Sequence, residues 1–456
     1  MADKATLLRL TVIAFAGIRL INYFLSVMLL DYLSALLLLL IILQALPKMD
    51  RLTAVVVSCL FFIGAGLLLA CRAPLGLWVV SLLKNANLAT LFICVPMMSM
   101  PFFYEDYQSE LKVVVQTRMS HILGFCLLVA VCTHFLAVLI SVGAMTIMYE
   151  LMHPYAKLYQ SEDTFLRTLT RSYNSSGFWS PAWASMIVLN AQLQVPWLSL
   201  VPVGLAFSAV LIGLDLGSVF LRDRLSPGAY PRLKAEEGVQ VNWRQIRIMI
   251  ILAAVLIGLI ILLNLATPWD LLIIVPIVAM IFPLLSALAQ RHLPEYRTGM
   301  KNYYQKSLLK VQGQCALFTA AGFLGKALDI SGLGAMLPKL LPRFLVDYPA
   351  LMIGAIMLLL ILPSLIGVHP AATGTALVLA VTPASLGPSL MTFSLAILTG
   401  WLIAIMVSPF SANNLMLAGF TGRPSWSISL GLNARFGALL FVVFSALISL
   451  VGPLLG

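Results

Sequence analysis

The chain has 456 residues, of which 61% are hydrophobic and only 10% are charged. Its mean hydropathy is +1.01, which excludes a water-soluble globular domain and predicts an all-α polytopic membrane protein. A net charge of +11 would favour a nucleic-acid partner in a soluble chain. Here the Lys and Arg residues lie in short loops, a pattern that sets membrane topology, so we expect the lipid bilayer and no nucleic acid as a partner.

The predicted spans follow one another closely. The first apolar run, Leu7 to Leu30, contains Arg19 and lacks a small-residue cleavage site, so we interpret it as a retained helix and not as a signal peptide. Hydropathy predicts about 11 to 12 spans in all. They cover residues 8–30, 32–46, 52–71, 86–103, 119–147, 197–220, 246–264, 268–287, 309–328, 345–366, 391–420 and 427–453, and a broken region lies at 164–192.

The longest polar stretch, residues 222–247, is rich in Arg and Lys and is predicted to be a cytoplasmic linker. It would separate an N-terminal repeat, residues 1–221, from a C-terminal repeat, residues 248–456. Basic residues near the start of the chain place the N-terminus in the cytoplasm as well, and we expect a bacterial inner membrane. The two halves differ by an odd number of spans, which predicts that one is inverted relative to the other.

An internal match supports this division. A shift of 228 residues aligns Ser180-Pro181 with Ser408-Pro409, and Pro196 with Pro424. Inverted repeats with broken helices at matching positions are typical of secondary transporters, whose sites lie near the middle of the bilayer.

Two small-polar islands interrupt the apolar sequence near the C-terminus, at Gly367–Thr375 and Ser408–Asn414. A broken helix is stable at membrane depth only where it is enclosed by protein or lines a cavity, because unpaired backbone groups are costly in lipid. The islands therefore predict a binding site for a small solute or ion.

These islands resemble those of the ion transporter superfamily, which includes divalent anion/sodium symporters, arsenite permeases and large membrane subunits of tripartite carboxylate transporters. Gly367–Thr375 resembles a re-entrant hairpin tip, and Ser408–Asn414 resembles the break in the following helix; Ser180-Pro181 matches that break in the first half. The resemblance implies re-entrant hairpins and broken helices in both halves. The Ser-Asn-Thr triplet usual at the tips in the divalent anion symporters is absent, which leaves substrate and coupling ion open.

Neutral oxygen ligands are concentrated at the islands, and sodium is held by five or six such hard oxygens. Capping of broken helix ends is the alternative role for the same side chains. A sodium site would use Ser408, Asn413 and Asn414, and we expect no cofactor other than Na⁺. The candidate substrate- or ion-binding residues are Asn174, Ser175, Ser176, Ser180, His369, Thr373, Thr375, Ser408, Ser411, Asn413 and Asn414.

Charged and titratable residues in apolar surroundings are further candidates. His369 would bind an anion or carry a coupled proton, and Arg171, with Arg167, would hold a carboxylate or phosphate. Asp215 and Asp329 are candidates for energetic coupling, although Lys326 lies three residues before Asp329, on the same helix face. The less favoured histidines are His121 and His134, and the six cysteines are interpreted as small buried hydrophobes.

No enzyme motif is present: the sequence has no P-loop, no GxSxG and no HExxH. The leading function is a cation-coupled symporter or exchanger that carries a small organic anion by an elevator-type motion, in a homodimer. One alternative is a flippase or membrane subunit that handles lipid or polyisoprenyl phosphate. Another is a membrane transferase or channel-like protein.

Overall fold

The computed structural model describes residues 2–49, 51–104, 107–141, 143–233, 242–333, 348–380 and 387–455. The protein is an all-α polytopic membrane protein, and the residues so described include no strand. Part of the predicted linker, residues 234–241, lies outside the described residues.

Long helices alternate with several short helical segments before the linker. A 3-10 segment, Val95–Phe103, follows α5, because Pro96 and Pro101 interrupt the α-helical pattern. The bounds are α1 Ala2–Leu25, α2 Met28–Ala45, α3 Arg51–Ala70, α4 Leu75–Leu83, α5 Ala86–Cys94, α6 Tyr107–Arg118, α7 Ile122–Ile140, α8 Gly143–Leu158, α9 Glu162–Ser175, α10 Ala184–Leu193 and α11 Trp197–Leu225.

The helices after the linker include two π-helical turns. A π-helical turn, Tyr303–Ser307, and a short turn, Leu308–Lys310, lead into α15, and a second π-helical turn, Ser427–Gly431, precedes α20. The bounds are α12 Trp243–Ala266, α13 Leu271–Gln290, α14 Leu293–Asn302, α15 Gln312–Ser331, α16 Pro349–Leu365, α17 Pro370–Ala380, α18 Leu390–Val407, α19 Ala412–Thr421 and α20 Leu432–Leu455.

Ten helical segments within the described ranges are long and apolar enough to cross a membrane. The broken region predicted at 164–192 is present as α9 and α10 with a break between them. The predicted span 119–147 is wrong, because the chain turns back at Ser141 and forms a hairpin of α7 and α8. Ser141 has a φ of +49°. It is a single polar residue between two apolar stretches, so the hydropathy of the sequence gives no sign of the turn.

Helix boundaries repeat with the 228-residue shift. α9 begins at Glu162 and α18 at Leu390, while α10 and α19 begin at Ala184 and Ala412. The last pair matches over its whole length, since both helices have ten residues. The α7–α8 hairpin likewise corresponds in order to α16 and α17.

Helices that the shift places in correspondence pack against each other in opposite directions. The rings of Phe207 in α11 and Phe444 in α20 are 4.7 Å apart. Further along α11, Asp215 is bridged through one arginine to Asn433, which lies earlier in α20. Advancing along α11 therefore means moving back along α20.

The α5 and α15 helices show the same antiparallel relation. Asn85, the N-cap of α5, donates its Nδ2 hydrogen to the Phe318 carbonyl at 2.9 Å. One turn later, the Ala89 carbonyl accepts from the Cys315 thiol at 3.7 Å. These contacts agree with an inverted relation between the halves.

Candidate functional site

The first break separates α9 from α10. The α-helix ends at Ser175, a 3-10 turn covers Ser176–Phe178, and the chain is non-helical until α10 begins at Ala184. Ser180 Oγ donates to the Val138 carbonyl at 3.1 Å and accepts from the Ala182 amide at 3.3 Å. The break is thus attached to the end of α7, next to the tip of the first hairpin.

The second break separates α18 from α19 and is built in the same way. Ser408 Oγ donates to the Ser364 carbonyl at 2.6 Å and accepts from the Phe410 amide at 3.2 Å. Ser364 lies at the end of α16, next to the tip of the second hairpin. Ser411 Oγ donates to the Ser408 carbonyl at 3.0 Å, so both serines of this break satisfy backbone groups.

The second hairpin turns at Gly367, whose φ of +96° favours glycine. His369 follows, and its Nδ1 accepts from the Ala371 amide at 3.1 Å. This bond caps the start of α17 and requires Nδ1 to be unprotonated. On α17, Thr373 Oγ1 donates to the Pro370 carbonyl at 3.2 Å.

The adjacent asparagines of α19 have different surroundings. Asn414 Nδ2 donates to the carbonyls of Ser408 and Met406 at 2.9 and 3.0 Å, which caps the freed end of α18. Its Oδ1 is buried and has no hydrogen-bond partner in the described part of the chain. The same holds for Asn413 Nδ2. Asn414 therefore combines the capping role with an unused oxygen, and Asn413 presents an unused amide.

A histidine from the first hairpin holds the first break. Trp179 Nε1 donates to His134 Nε2 at 3.0 Å, so the proton of the neutral ring is on Nδ1. His134 Nδ1 then donates to Ser175 Oγ at 2.7 Å, and Ser175 donates to the Ser172 carbonyl at 2.7 Å. This buried chain fixes α7 to α9, and the Ser175 hydroxyl is used within it.

The other polar residues of the first break have both hydrogen-bonded and unpaired side-chain atoms. Ser176 Oγ donates to the Tyr173 carbonyl at 2.7 Å. Asn174 Nδ2 donates to the Thr170 carbonyl at 2.8 Å, whereas its Oδ1 is buried without a partner among the described residues. Asn174 thus also offers one unused oxygen.

The breaks supply buried neutral oxygens that have no hydrogen-bond partner among the described residues. Such oxygens are suitable ligands for sodium. Three such oxygens belong to predicted residues: Asn174 Oδ1, Asn414 Oδ1 and Thr375 Oγ1. Sequence reasoning missed others, among them Ser172 Oγ on α9, Thr399 Oγ1 on α18 and Ser185 Oγ on α10. Ser185 lies 228 residues before Asn413, so the internal repeat is the signal by which it could have been found.

Two helix N-termini face the breaks, one from each half. Neither α10, with Trp183 at its N-cap, nor α19, with Ser411, has a side-chain cap hydrogen bond. The first amides of a helix have no partner within the helix and carry a partial positive charge. Such N-termini bind anions without needing a cationic side chain.

Arg171 lies in a buried cluster and is used within the protein. Its NH1 atom donates to Asp215 Oδ1 at 2.7 Å, its Nε donates to Asn433 Oδ1 at 3.0 Å, and its NH2 atom donates to the Leu432 carbonyl at 3.1 Å. Its guanidinium also lies 3.8 Å from the ring centroid of Phe436. This cluster ties α9 and α11 to α20, and so joins the two halves.

Asp329 is in a different situation. Lys326 Nζ donates to its Oδ2 at 2.6 Å, and the Asp329 side chain is 61% exposed. The pair forms at the spacing that the sequence predicts, and it lies at the end of α15, away from the breaks.

A second polar contact joins the halves at the start of α9. Arg423, which follows α19, donates to Asp163 at 2.5 Å and to Glu162 at 3.4 Å. The hydrogen bond to the Asp163 carboxylate raises the pKa of Arg423. Nearby, the rings of Tyr149 and Phe420 stack at 5.0 Å. The beginning of one broken helix therefore lies beside the end of its counterpart.

Solved structures of other proteins show similarity to this chain. The crystal structure of the Alcanivorax borkumensis YdaH transporter, described as having an unusual topology, aligns with 79% of this chain and 84% of its own, at 13% identity and a TM-score of 0.49. No family model and no curated relative matches the chain.

Proposed function

We propose that the protein is a secondary active transporter, a symporter or exchanger, that moves a small organic anion with a coupled cation. One observation carries this proposal: two equivalent helix breaks, each attached by the same serine hydrogen bonds to the tip of a hairpin. Broken helices of this kind form midplane sites in secondary transporters.

An anionic substrate is supported by the uncapped N-termini of α10 and α19. Their free amides favour negative charge. Arg171 is already bound to Asp215, so backbone amides and the coupled cation would supply the positive potential. We therefore expect a small carboxylate or similar anion to bind between the breaks.

A coupled cation is supported by the unused buried oxygens of Asn174, Asn414 and Thr375. These ligands are neutral, which suits sodium. The titratable candidates beside the breaks are His134, whose two ring nitrogens are hydrogen-bonded to Ser175 and Trp179, and His369, whose Nδ1 accepts a backbone hydrogen bond. Protonation at that atom would remove the cap of α17, so we favour sodium over protons.

An elevator motion requires the hairpins and broken helices of both halves to move as one body. The Arg171 cluster and the Arg423 contacts support this, because both join elements of the first half to elements of the second. The remaining helices would form the scaffold and the homodimer interface. We expect the basic linker and the N-terminus to lie on the cytoplasmic side of a bacterial inner membrane.

The test is thermal unfolding of the purified protein with sodium, lithium and a panel of carboxylates, at several pH values. A ligand present at 100 times its Kd stabilises the state that it binds by about 2.7 kcal/mol. We expect sodium and one carboxylate together to raise Tm more than either alone. If no solute shifts Tm while proteoliposomes scramble a labelled lipid, the lipid-handling alternative replaces this proposal.

A further inference from the structure

A cationic cavity lies outside the breaks, where α8, α9 and α11 end or begin. Its volume is about 530 Å³. The chain after α11 closes one side, held by a hydrogen bond from the Leu233 amide to the Ser120 carbonyl at 3.1 Å. The lining includes Lys157, Thr164, Arg167, Arg222, Tyr230 and Arg423, with the acidic residues Glu162 and Asp163.

The acidic residues of this cavity are already paired. Asp163 and Glu162 accept from Arg423, and Glu162 Oε1 also lies 2.6 Å from His153 Nε2. In the described part of the chain, Lys157, Arg167 and Arg222 have no such ion pair. Among the described residues, three positive charges of this cavity therefore have no carboxylate partner of their own.

Arg167 is the central member of this group. It lines the main cavity and also a smaller one of about 20 Å³, which leads inward to Asp215. Its Nε is buried and has no acceptor among the described residues. Asp215 is hydrogen-bonded to Arg171, so that single carboxylate serves two neighbouring guanidiniums. A buried donor without an acceptor destabilises the folded protein, and a bound anion would remove this cost.

Neutral donors complete the cavity. The hydroxyls of Thr164 and Tyr230 lie 3.0 Å apart, and the Arg222 guanidinium lies 5.8 Å from the centroid of the Tyr230 ring. Guanidiniums bind phosphate oxygens in pairs, and an ammonium adds a point charge.

We propose that this cavity binds a phosphate group, with Arg167 and Arg222 as its principal ligands and Lys157 as a peripheral charge. The site is distinct from the breaks and does not depend on transport. The phosphate would belong either to an anionic lipid headgroup or to a soluble phosphorylated compound, since the chemistry recognised is the same. Because Arg167 lies one turn before Arg171 on α9, occupancy would act directly on the first broken helix.

The experiment measures binding of pyrophosphate to the purified full-length protein by calorimetry at low ionic strength. A parallel arm uses nanodiscs of phosphatidylglycerol or phosphatidylcholine and counts retained lipids by native mass spectrometry. The variants are Arg167→Gln, Arg222→Gln and Lys157→Gln. Arg224→Gln is the matched control, because Arg224 is an exposed cation in the same last turn of α11 and does not line the cavity.

We expect affinity to fall at least tenfold in Arg222→Gln, and also in Arg167→Gln if that variant folds, with Arg224→Gln unchanged. Pyrophosphate binding identifies a soluble ligand, and selective retention of phosphatidylglycerol identifies a lipid. Absence of both, or an equal loss in Arg224→Gln, would overturn the proposal. Asn413→Ala should leave this binding intact, which separates the site from the proposed transport site.

Discussion

Ser180 and Ser408 occupy the same position in the two halves of the protein. Each side chain donates to a carbonyl at the end of a hairpin helix and accepts from the amide two residues later. Both precede a proline, which cannot donate a backbone hydrogen bond and so ends the helical pattern. The hydroxyl thus performs two tasks: it satisfies backbone groups freed by the break, and it attaches the break to its hairpin.

Replacing either serine by alanine tests this attachment. We expect Ser408→Ala to lower the free energy of unfolding by about 1 kcal/mol, the usual net contribution of one hydrogen bond, and to lower substrate affinity as well. Ser427→Ala is the control, because the exposed Ser427 bonds only locally, to Pro424. Thermal unfolding and ligand binding in detergent measure both effects. Equal results for Ser408→Ala and Ser427→Ala would show that the attachment has no special role.

The inverted relation between the halves predicts which termini of the broken helices share a side. Cysteines at Gln160 and Pro424 should lie on one side of the membrane, because Asp163 contacts Arg423. Cysteines at Gln194 and Leu390 should lie on the other. The background must lack Cys59 and Cys71, which are exposed. Labelling with an impermeant maleimide before and after permeabilisation measures sidedness, and opposite accessibility at positions 160 and 424 would exclude the inverted arrangement.

The buried Arg171–Asp215 pair should be far more important for stability than the exposed Lys326–Asp329 pair. Removing one partner of a buried pair leaves an uncompensated charge, at a cost of about 3 to 5 kcal/mol. We expect Arg171→Met to reach this range, and Asp329→Asn to cost no more than about 1 kcal/mol.

The double variant Arg171→Met with Asp215→Leu should recover only part of the loss, since it removes the unpaired carboxylate but leaves the neighbouring Arg167 without a counter-charge. The measurement is the midpoint of thermal unfolding for the three variants side by side. If Arg171→Met is no worse than Asp329→Asn, the cluster does not hold the halves together.

Asn413 is the clearest test of the site. Its Nδ2 has no partner among the described residues, so Asn413→Ala should change unfolding little while ligand affinity falls at least tenfold, or about 1.4 kcal/mol. Asn414→Ala should reduce both affinity and stability, because it also removes the cap of α18. Asn190→Ala, which removes a bond to the Val195 carbonyl, is the control. Calorimetry showing unchanged affinity in both site variants would show that neither asparagine contributes to ligand binding.

The features that the sequence predicts correctly are those whose signals lie within a few neighbouring residues. Ser408-Pro409 stands out in an apolar run, and Lys326 and Asp329 meet because three residues separate them on one helix. The tip at Ser141 was missed, since the apolar run around it predicts one long span. Hydropathy averages over a window and does not detect a single turn.

Contacts between distant parts of the chain were beyond such reasoning. Arg171 is 44 residues from Asp215 and 262 residues from Asn433, so its sequence neighbourhood suggested an open anion ligand. His134 was a lone histidine in an apolar span, and its partners lie elsewhere in the chain, Ser175 at the end of α9 and Trp179 in the first break. Contacts between such distant residues depend on tertiary packing, which cannot be inferred from the local pattern of a single sequence.

Cation-coupled transport at the two breaks is tested most directly by uptake into proteoliposomes. A sodium gradient is imposed at fixed pH, then a pH gradient without sodium, for the unaltered protein and for His369→Gln, with the carboxylate that stabilises the protein as substrate. We predict uptake that follows the sodium gradient and persists in His369→Gln, because neutral oxygen ligands do not titrate between about pH 5 and 8. Uptake that ignores sodium, follows the pH gradient and is lost in His369→Gln would contradict the account.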